Sequence, residues 1–188
     1  MARIRYIIPK AVLATLSPSA ERVAVEERTP PDVLRRLHRA LPISWAPRDE
    51  YMALLGAVVD VIGEDRVRDH FRKTYLQVSR GTLLGPITEG LIRVYRGTPP
   101  GVARGAPRAW DMVAQGMGTI TAEVVPRVGT RVLFAYDPAL DSRSGVFVNS
   151  FAGTFDGFYD RCGVEGRCVV ESLDANAGTA TYLLPHAE

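Results

Sequence analysis

The sequence predicts an α+β fold: a helical N-terminal half, then the order β-β-α-β-β, with a four-stranded antiparallel sheet packed against helices. Three observations predict it. Apolar residues recur every three or four positions between residues 29 and 95, and they alternate with polar residues after Gly118. A stripe of aromatic residues at helical spacing then separates two strand pairs. Runs of helices followed by hairpins are typical of α+β proteins.

The length predicts one domain over residues 1–188, because domains usually contain about 100–200 residues. Hydrophobic residues make up 46% of the chain and charged residues 23%, which is an ordinary globular composition. Residues 1–29 are the hardest to assign. Apolar and basic residues alternate from Arg3 to Ile8, which predicts either an N-terminal strand or a separate arm.

The helical half is predicted to contain four helices, over about 29–41, 47–62, 64–80 and 83–95. Thr29 is expected to cap the first, ahead of two prolines, and its apolar face would include Leu37 and Leu41. The second has an apolar face at the spacing of a single helix side, and Gly63 ends it. A short fifth helix over about 107–117 would carry Trp110.

The second half is predicted to form strands over 120–125, 131–136, 167–173 and 179–184. Between the two pairs, aromatic residues repeat at helical spacing over 147–162, and Gly163 is expected to end that helix in the left-handed conformation. Because consecutive strands are joined by short turns, both pairs are expected to be antiparallel.

Composition narrows the classes of partner. The 23 basic and 21 acidic residues leave a net charge of +2, and both signs are mixed along the chain, so a nucleic-acid partner is not expected. The N-terminus lacks the apolar segment of a signal peptide, and no apolar stretch approaches the length of a membrane span. These features predict a cytoplasmic protein.

Residues 44–47, residues 97–110 and the closing hairpin around 166–172 and 179–184 resemble a large uncharacterised family of myxobacterial proteins of about 190 residues. That family is in turn remotely similar to the four-vinyl-reductase domain, the haem–nitric-oxide-binding domain and the Bet3-like transport-particle subunits. The similarity lies in the order of elements more than in single motifs. The resemblance implies a sensory, ligand-binding or protein-interaction module, and no catalytic residues carry over.

The aromatic stripe is the principal candidate site. Its side chains could line an apolar ligand pocket between helix and sheet, or they could simply form core, since large aromatics dominate core burial. The candidate pocket residues are Trp110, Phe147, Phe151, Phe155, Phe158 and Tyr159.

Haem is the alternative that the resemblance raises, through a helical histidine. His70 is the weak candidate, although its place in the helical pattern predicts a surface residue. The tyrosine–serine–arginine signature of the related haem domain is missing, because Tyr75, Ser79 and Arg80 have the wrong spacing. We therefore predict no cofactor, while haem stays open.

Zinc is the other open cofactor, because the four-vinyl-reductase sensors bind zinc through cysteines in this region. Cys162 and Cys168 are the weak candidates. Structural zinc usually takes four ligands, and a third and a fourth cysteine are absent, so two buried thiols are the simpler interpretation.

The sequence favours a module without enzymatic activity. It has no nucleophile elbow, phosphate loop or dinucleotide fingerprint. Gly153 and Gly157 lie on one predicted helix, where small residues could admit a neighbouring helix from a second copy and form a homodimer. We expect a sensory or protein-interaction module that binds a partner protein or a small apolar molecule; a haem- or zinc-dependent sensor or enzyme is the alternative.

Overall fold

A computed structural model describes residues 1–16, 19–81, 84–95, 97–141 and 145–186. The helices are α1 (Ile7–Thr15), α2 (Ala20–Arg28), α3 (Pro31–Arg39), α4 (Arg48–Ile62), α5 (Val67–Arg80), α6 (Gly85–Val94), α7 (Pro99–Ala103), α8 (Ala106–Val113) and α9 (Val146–Cys162). The strands are β1 (Arg3–Arg5), β2 (Trp45–Pro47), β3 (Ala114–Gln115), β4 (Thr119–Val125), β5 (Gly129–Ala135), β6 (Val169–Asp174) and β7 (Thr179–Pro185). Short 3-10 turns span Glu64–Arg66 and Pro138–Asp141.

The predicted fold class is confirmed. The larger sheet has the order β4-β5-β7-β6, with every neighbouring pair antiparallel. Alternate residues of its two central strands face inward, and Val132, Phe134 and Tyr182 are fully buried there. The helix α9 lies between this buried face and the N-terminal helices, so the aromatic stripe of α9 is enclosed from several sides.

The N-terminal segment forms a second, smaller sheet. The strand β1 is central in the order β2-β1-β3 and pairs antiparallel with both neighbours. The predicted strand over residues 3–8 is therefore only half right, since Ile7 already begins α1. Pro9 is tolerated in the first turn of that helix because the amides of a first turn have no acceptor within the helix.

Two details of the predicted α3 are wrong. Thr29 does not cap this helix; its hydroxyl donates instead to the Val25 carbonyl of the preceding helix, at 2.8 Å. Leu41 is exposed, because α3 ends at Arg39 and the chain has already left the helical face. The start predicted at residue 83 for the fourth helix lies outside the described residues, and α6 is seen from Gly85.

The helices α5 and α9 form the most extensive helix–helix contact of the described chain. Gly153 and Gly157 are buried in that contact: a Cβ at Gly153 would overlap the Arg68 carbonyl oxygen, and one at Gly157 would lie 2.5 Å from Cδ1 of Tyr75. The two glycines therefore admit a neighbouring helix of the same chain, which removes the sequence-based reason for placing a second copy there.

Candidate functional site

A cavity of about 180 Å³ lies between α5, α6, α8 and α9 and is also bordered by parts of β1, β4, α1, α4 and α7. It exists because these helices converge without filling the space between them. Ile87 and Leu91 of α6, with Leu84 just before that helix, cover one side and are only partly buried themselves. The cavity is larger than the roughly 150 Å³ void known to hold benzene in an engineered protein, and smaller than the roughly 300 Å³ at which drug-sized pockets begin.

Five of the six aromatic residues predicted to form a pocket line this cavity: Trp110, Phe147, Phe151, Phe155 and Phe158. Tyr159 does not line it. Its hydroxyl donates instead to the Pro185 carbonyl, at the C-terminal end of the central strand β7, at 2.8 Å. Helical periodicity placed all six on one broad stripe, and only the packing of α9 divides that stripe between cavity and sheet.

The five lining aromatic residues, here called the aromatic wall, belong to the hydrophobic core as well as to the cavity. The Trp110 and Phe151 rings meet edge to face with centroids 5.1 Å apart, and Phe134 of the sheet lies 4.4 Å from Phe151. The Trp110 indole N–H donates to the Gly118 carbonyl at 3.1 Å. Such contacts hold each ring in one orientation, so the wall is preformed rather than assembled by a ligand.

The cavity is apolar and uncharged. Among the described residues that line it, none is Asp, Glu, Lys, Arg, His or Cys. The hydroxyls of Thr74, Ser79, Ser150 and Thr154 donate to carbonyls of their own helices, at 3.0, 3.2, 2.6 and 3.1 Å. Tyr51, which is 4% exposed, makes no such bond to any described residue.

An ion pair beside the cavity ties α5, α9 and the start of β6 together. The Arg68 guanidinium binds both carboxylate oxygens of Asp156, at 2.7 and 2.9 Å, and also donates to the Cys168 carbonyl at 2.7 Å. Asp156 is 2% exposed and accepts the Cys168 backbone N–H at 2.9 Å. Such a bidentate pair fixes the distance between the two helices that border the cavity.

His70 is buried, so the prediction that it is a surface residue is wrong. It is 7% exposed on α5, faces α1, hydrogen-bonds the backbone at Val12, and its Nε2 has no partner among the described residues. Burial lowers its pKa from 6.5 to about 4. His70 does not line the cavity, because the neighbouring Phe71 takes the position on α5 that faces it.

The two cysteines are not arranged as metal ligands. No group of three or more His, Cys, Asp or Glu side chains that could hold a metal occurs within the described ranges. The Cys168 thiol contacts the Ala152 carbonyl at 3.3 Å, and burial raises its pKa to about 12. Cys162 is partly buried at the end of α9, and burial raises its thiol pKa as well. Both environments disfavour the thiolate that zinc requires.

No helix in the described part of the chain is both long and apolar enough to cross a bilayer. No protein-family model matches this sequence, and no curated protein matches it. The comparison with solved structures is therefore the one that identifies the architecture.

Several solved structures match almost the whole chain. An H-NOX protein from K. algicida, in its unliganded Fe(II) state, has a TM-score of 0.70 at 11% identity, over 98% of this chain and 97% of that one. An H-NOX protein from S. oneidensis in the Fe(II)NO state has a TM-score of 0.69 at 8% identity, over 98% and 100%. A structure from work on haem distortion in the H-NOX family has a TM-score of 0.62 at 12% identity, over 96% and 92%. The chain thus has an H-NOX-like α+β fold.

Proposed function

We propose that this chain is a non-enzymatic sensory module that binds a small apolar organic molecule in the cavity beside α9. The observation that carries the proposal is the cavity itself, which is uncharged and walled by fixed aromatic rings. An apolar molecule that fills the cavity removes its own apolar surface and that of the lining from water, which favours binding.

The fold suggests haem as a ligand, but the side chains that line the cavity do not fit haem. Haem iron is held by His, Cys, Met or Tyr. All three histidines and both cysteines lie elsewhere, which leaves Met112, Tyr51 and Tyr75 among the lining residues. Burial raises the pKa of both phenols, so neither supplies a phenolate at neutral pH. No described lining residue is a cation that could pair with the carboxylates of haem.

The lining also supports a binding role over catalysis. Its polar groups are hydroxyls, and no His or carboxylate stands among the described lining residues to activate one of them. A ligand there would be held by packing and would leave unchanged. Such reversible occupancy is what a sensory module needs.

The proposal is tested by titrating the purified protein with toluene and measuring heat of binding and thermal stability. Saturation at about 100 times Kd is expected to stabilise the protein by about 2.7 kcal/mol. Ala109→Phe, which fills the cavity from α8, is expected to abolish binding, whereas Arg108→Ala on the exposed side of the same helix should leave it unchanged. Absence of binding to the unmodified protein would refute the proposal.

A haem-dependent sensor is the second candidate, because solved structures of this fold are described with haem or Fe(II). The two candidate functions are distinguished by adding haemin to the purified protein and recording the visible spectrum. Because the lining residues offer no suitable iron ligand, we expect the mixture to show the broad absorption of unbound haemin. A sharp Soret band in a stoichiometric complex would favour the haem sensor, and toluene should then compete with it.

A further inference from the structure

The cavity contains a polar group that the protein itself does not use. Tyr51 lines the cavity from α4 and is 4% exposed, yet its hydroxyl bonds to no residue in the part of the chain that the structure describes. Thr88 of α6, 8% exposed, is a second lining hydroxyl of this kind. A hydroxyl at a cavity wall that has no partner within the protein is free to bond to a molecule inside the cavity.

Several other polar groups around the cavity are paired within the protein, and Tyr75, the other lining tyrosine, is less buried than Tyr51. Trp110 donates to a backbone carbonyl, and the hydroxyls of Ser150 and Thr154 donate to carbonyls of α9 itself. Each is satisfied whether or not the cavity is filled. Phenylalanine at position 51 would occupy the same space as the tyrosine ring without placing a hydroxyl there.

We infer that Tyr51 selects the ligand: the cavity takes a neutral molecule of about one aromatic ring that carries a single hydrogen-bonding oxygen or nitrogen, which pairs with the Tyr51 hydroxyl. This inference rests on the proposed function. Size follows from the volume of about 180 Å³. Neutrality follows because none of the described lining residues carries a charge that could pair with an ionic ligand, and a buried unpaired charge is strongly unfavourable.

The hydroxyl also explains how the ligand would be oriented. The rings of Phe147, Phe151 and Phe155 offer apolar surface that accepts many orientations. One hydrogen bond at the α4 side of the cavity favours those orientations that bring the polar atom to Tyr51. Specificity in apolar pockets generally comes from such a small number of placed polar groups.

The test compares phenol with toluene, which have the same ring and a substituent of similar size, in the unmodified protein and in Tyr51→Phe. Phenol affinity is expected to fall about 5- to 10-fold in Tyr51→Phe, the effect of one net hydrogen bond, while toluene affinity changes by less than about twofold. Tyr159→Phe is the matched control: it makes the same substitution outside the cavity, at a hydroxyl that is paired with the Pro185 carbonyl, and should alter neither affinity. Tyr51→Phe should fold normally, since no protein contact of the hydroxyl is lost.

The outcomes separate the two claims. If toluene binds and Tyr51→Phe leaves phenol affinity unchanged, the selective role of Tyr51 is overturned while the proposed function stands. If toluene binds and phenol does not, the inference is also overturned. If neither molecule binds the unmodified protein, the proposed function fails and this inference fails with it.

Discussion

Replacing Gly153 with alanine tests the central packing of the fold. The new Cβ would lie closer than 3.0 Å to the Arg68 carbonyl oxygen, a separation that real Cβ atoms essentially never show. The atom it meets is a backbone oxygen in the first turn of α5, so no side chain can rotate away. The helices α5 and α9 would have to separate, which would also stretch the Arg68–Asp156 pair that joins them.

Two effects of opposite sign determine how much Gly153→Ala changes the free energy of unfolding. Alanine in a helix is favoured over glycine by about 0.8–1.0 kcal/mol. Overpacking a rigid core typically costs about 1–3 kcal/mol, and a contact with backbone belongs at or above the upper end. We expect a net loss of about 2 kcal/mol in the free energy of unfolding. For a chain of this size that corresponds to a fall in Tm of about 4–8 °C.

Gly90→Ala is the matched control. Gly90 lies on the exposed side of α6, and a Cβ there would meet nothing within 4 Å. The same gain in helix propensity applies without the clash, so Tm should rise by about 2–4 °C. Both variants are compared with the parent by calorimetry and urea unfolding. A Gly153→Ala protein as stable as the parent would refute the close α5–α9 contact.

Three further predictions concern buried polar groups. The pKa of His70 is about 4 in the folded protein and 6.5 ordinarily, so the unfolded chain binds the proton more readily. The free energy of unfolding should therefore be at its full value above about pH 6.5 and fall by about 3 kcal/mol towards pH 4. Urea unfolding measured across this pH range should show a weaker dependence on pH in His70→Gln. Asp156→Asn should lower the free energy of unfolding by about 2–3 kcal/mol, since it weakens the pairing of the half-buried Arg68; an unchanged urea midpoint would contradict this. Ellman's reagent should react slowly with Cys162 and Cys168 in the folded protein and quickly with both in urea, because burial raises both thiol pKa values; fast reaction of both thiols in the folded protein would contradict the burial of Cys168.

Local patterns in the sequence predicted most of the secondary structure. The alternation after Gly118 and the helical spacing over 147–162 depend only on neighbouring residues, and the strands and α9 lie where these patterns place them. Gly163 ends α9 with φ of 71°, as a glycine after a periodic segment predicts. Element ends were less predictable, and Thr29 shows why: its hydroxyl could serve either of two adjacent helices.

The candidate site was predictable only in part. The spacing of the aromatic stripe correctly predicted five lining residues, but no local sequence pattern distinguishes Tyr159 from them. Tyr51 could not have been found from its pattern, because a tyrosine on the apolar face of a helix usually has a partner for its hydroxyl. Its lack of one becomes visible only when every neighbouring side chain is in place.

The sequence by itself determined the β-β-α-β-β order of the second half, the antiparallel pairing of the closing strands and the near-neutral charge, because each depends on local periodicity or composition. Tertiary structure decided that His70 is buried, that Gly153 and Gly157 meet α5 of the same chain, and that an uncharged cavity remains beside α9. A cavity is the volume left when elements distant in sequence meet. Its size and its unpaired Tyr51 therefore follow from how these helices pack, which periodicity along the chain does not encode.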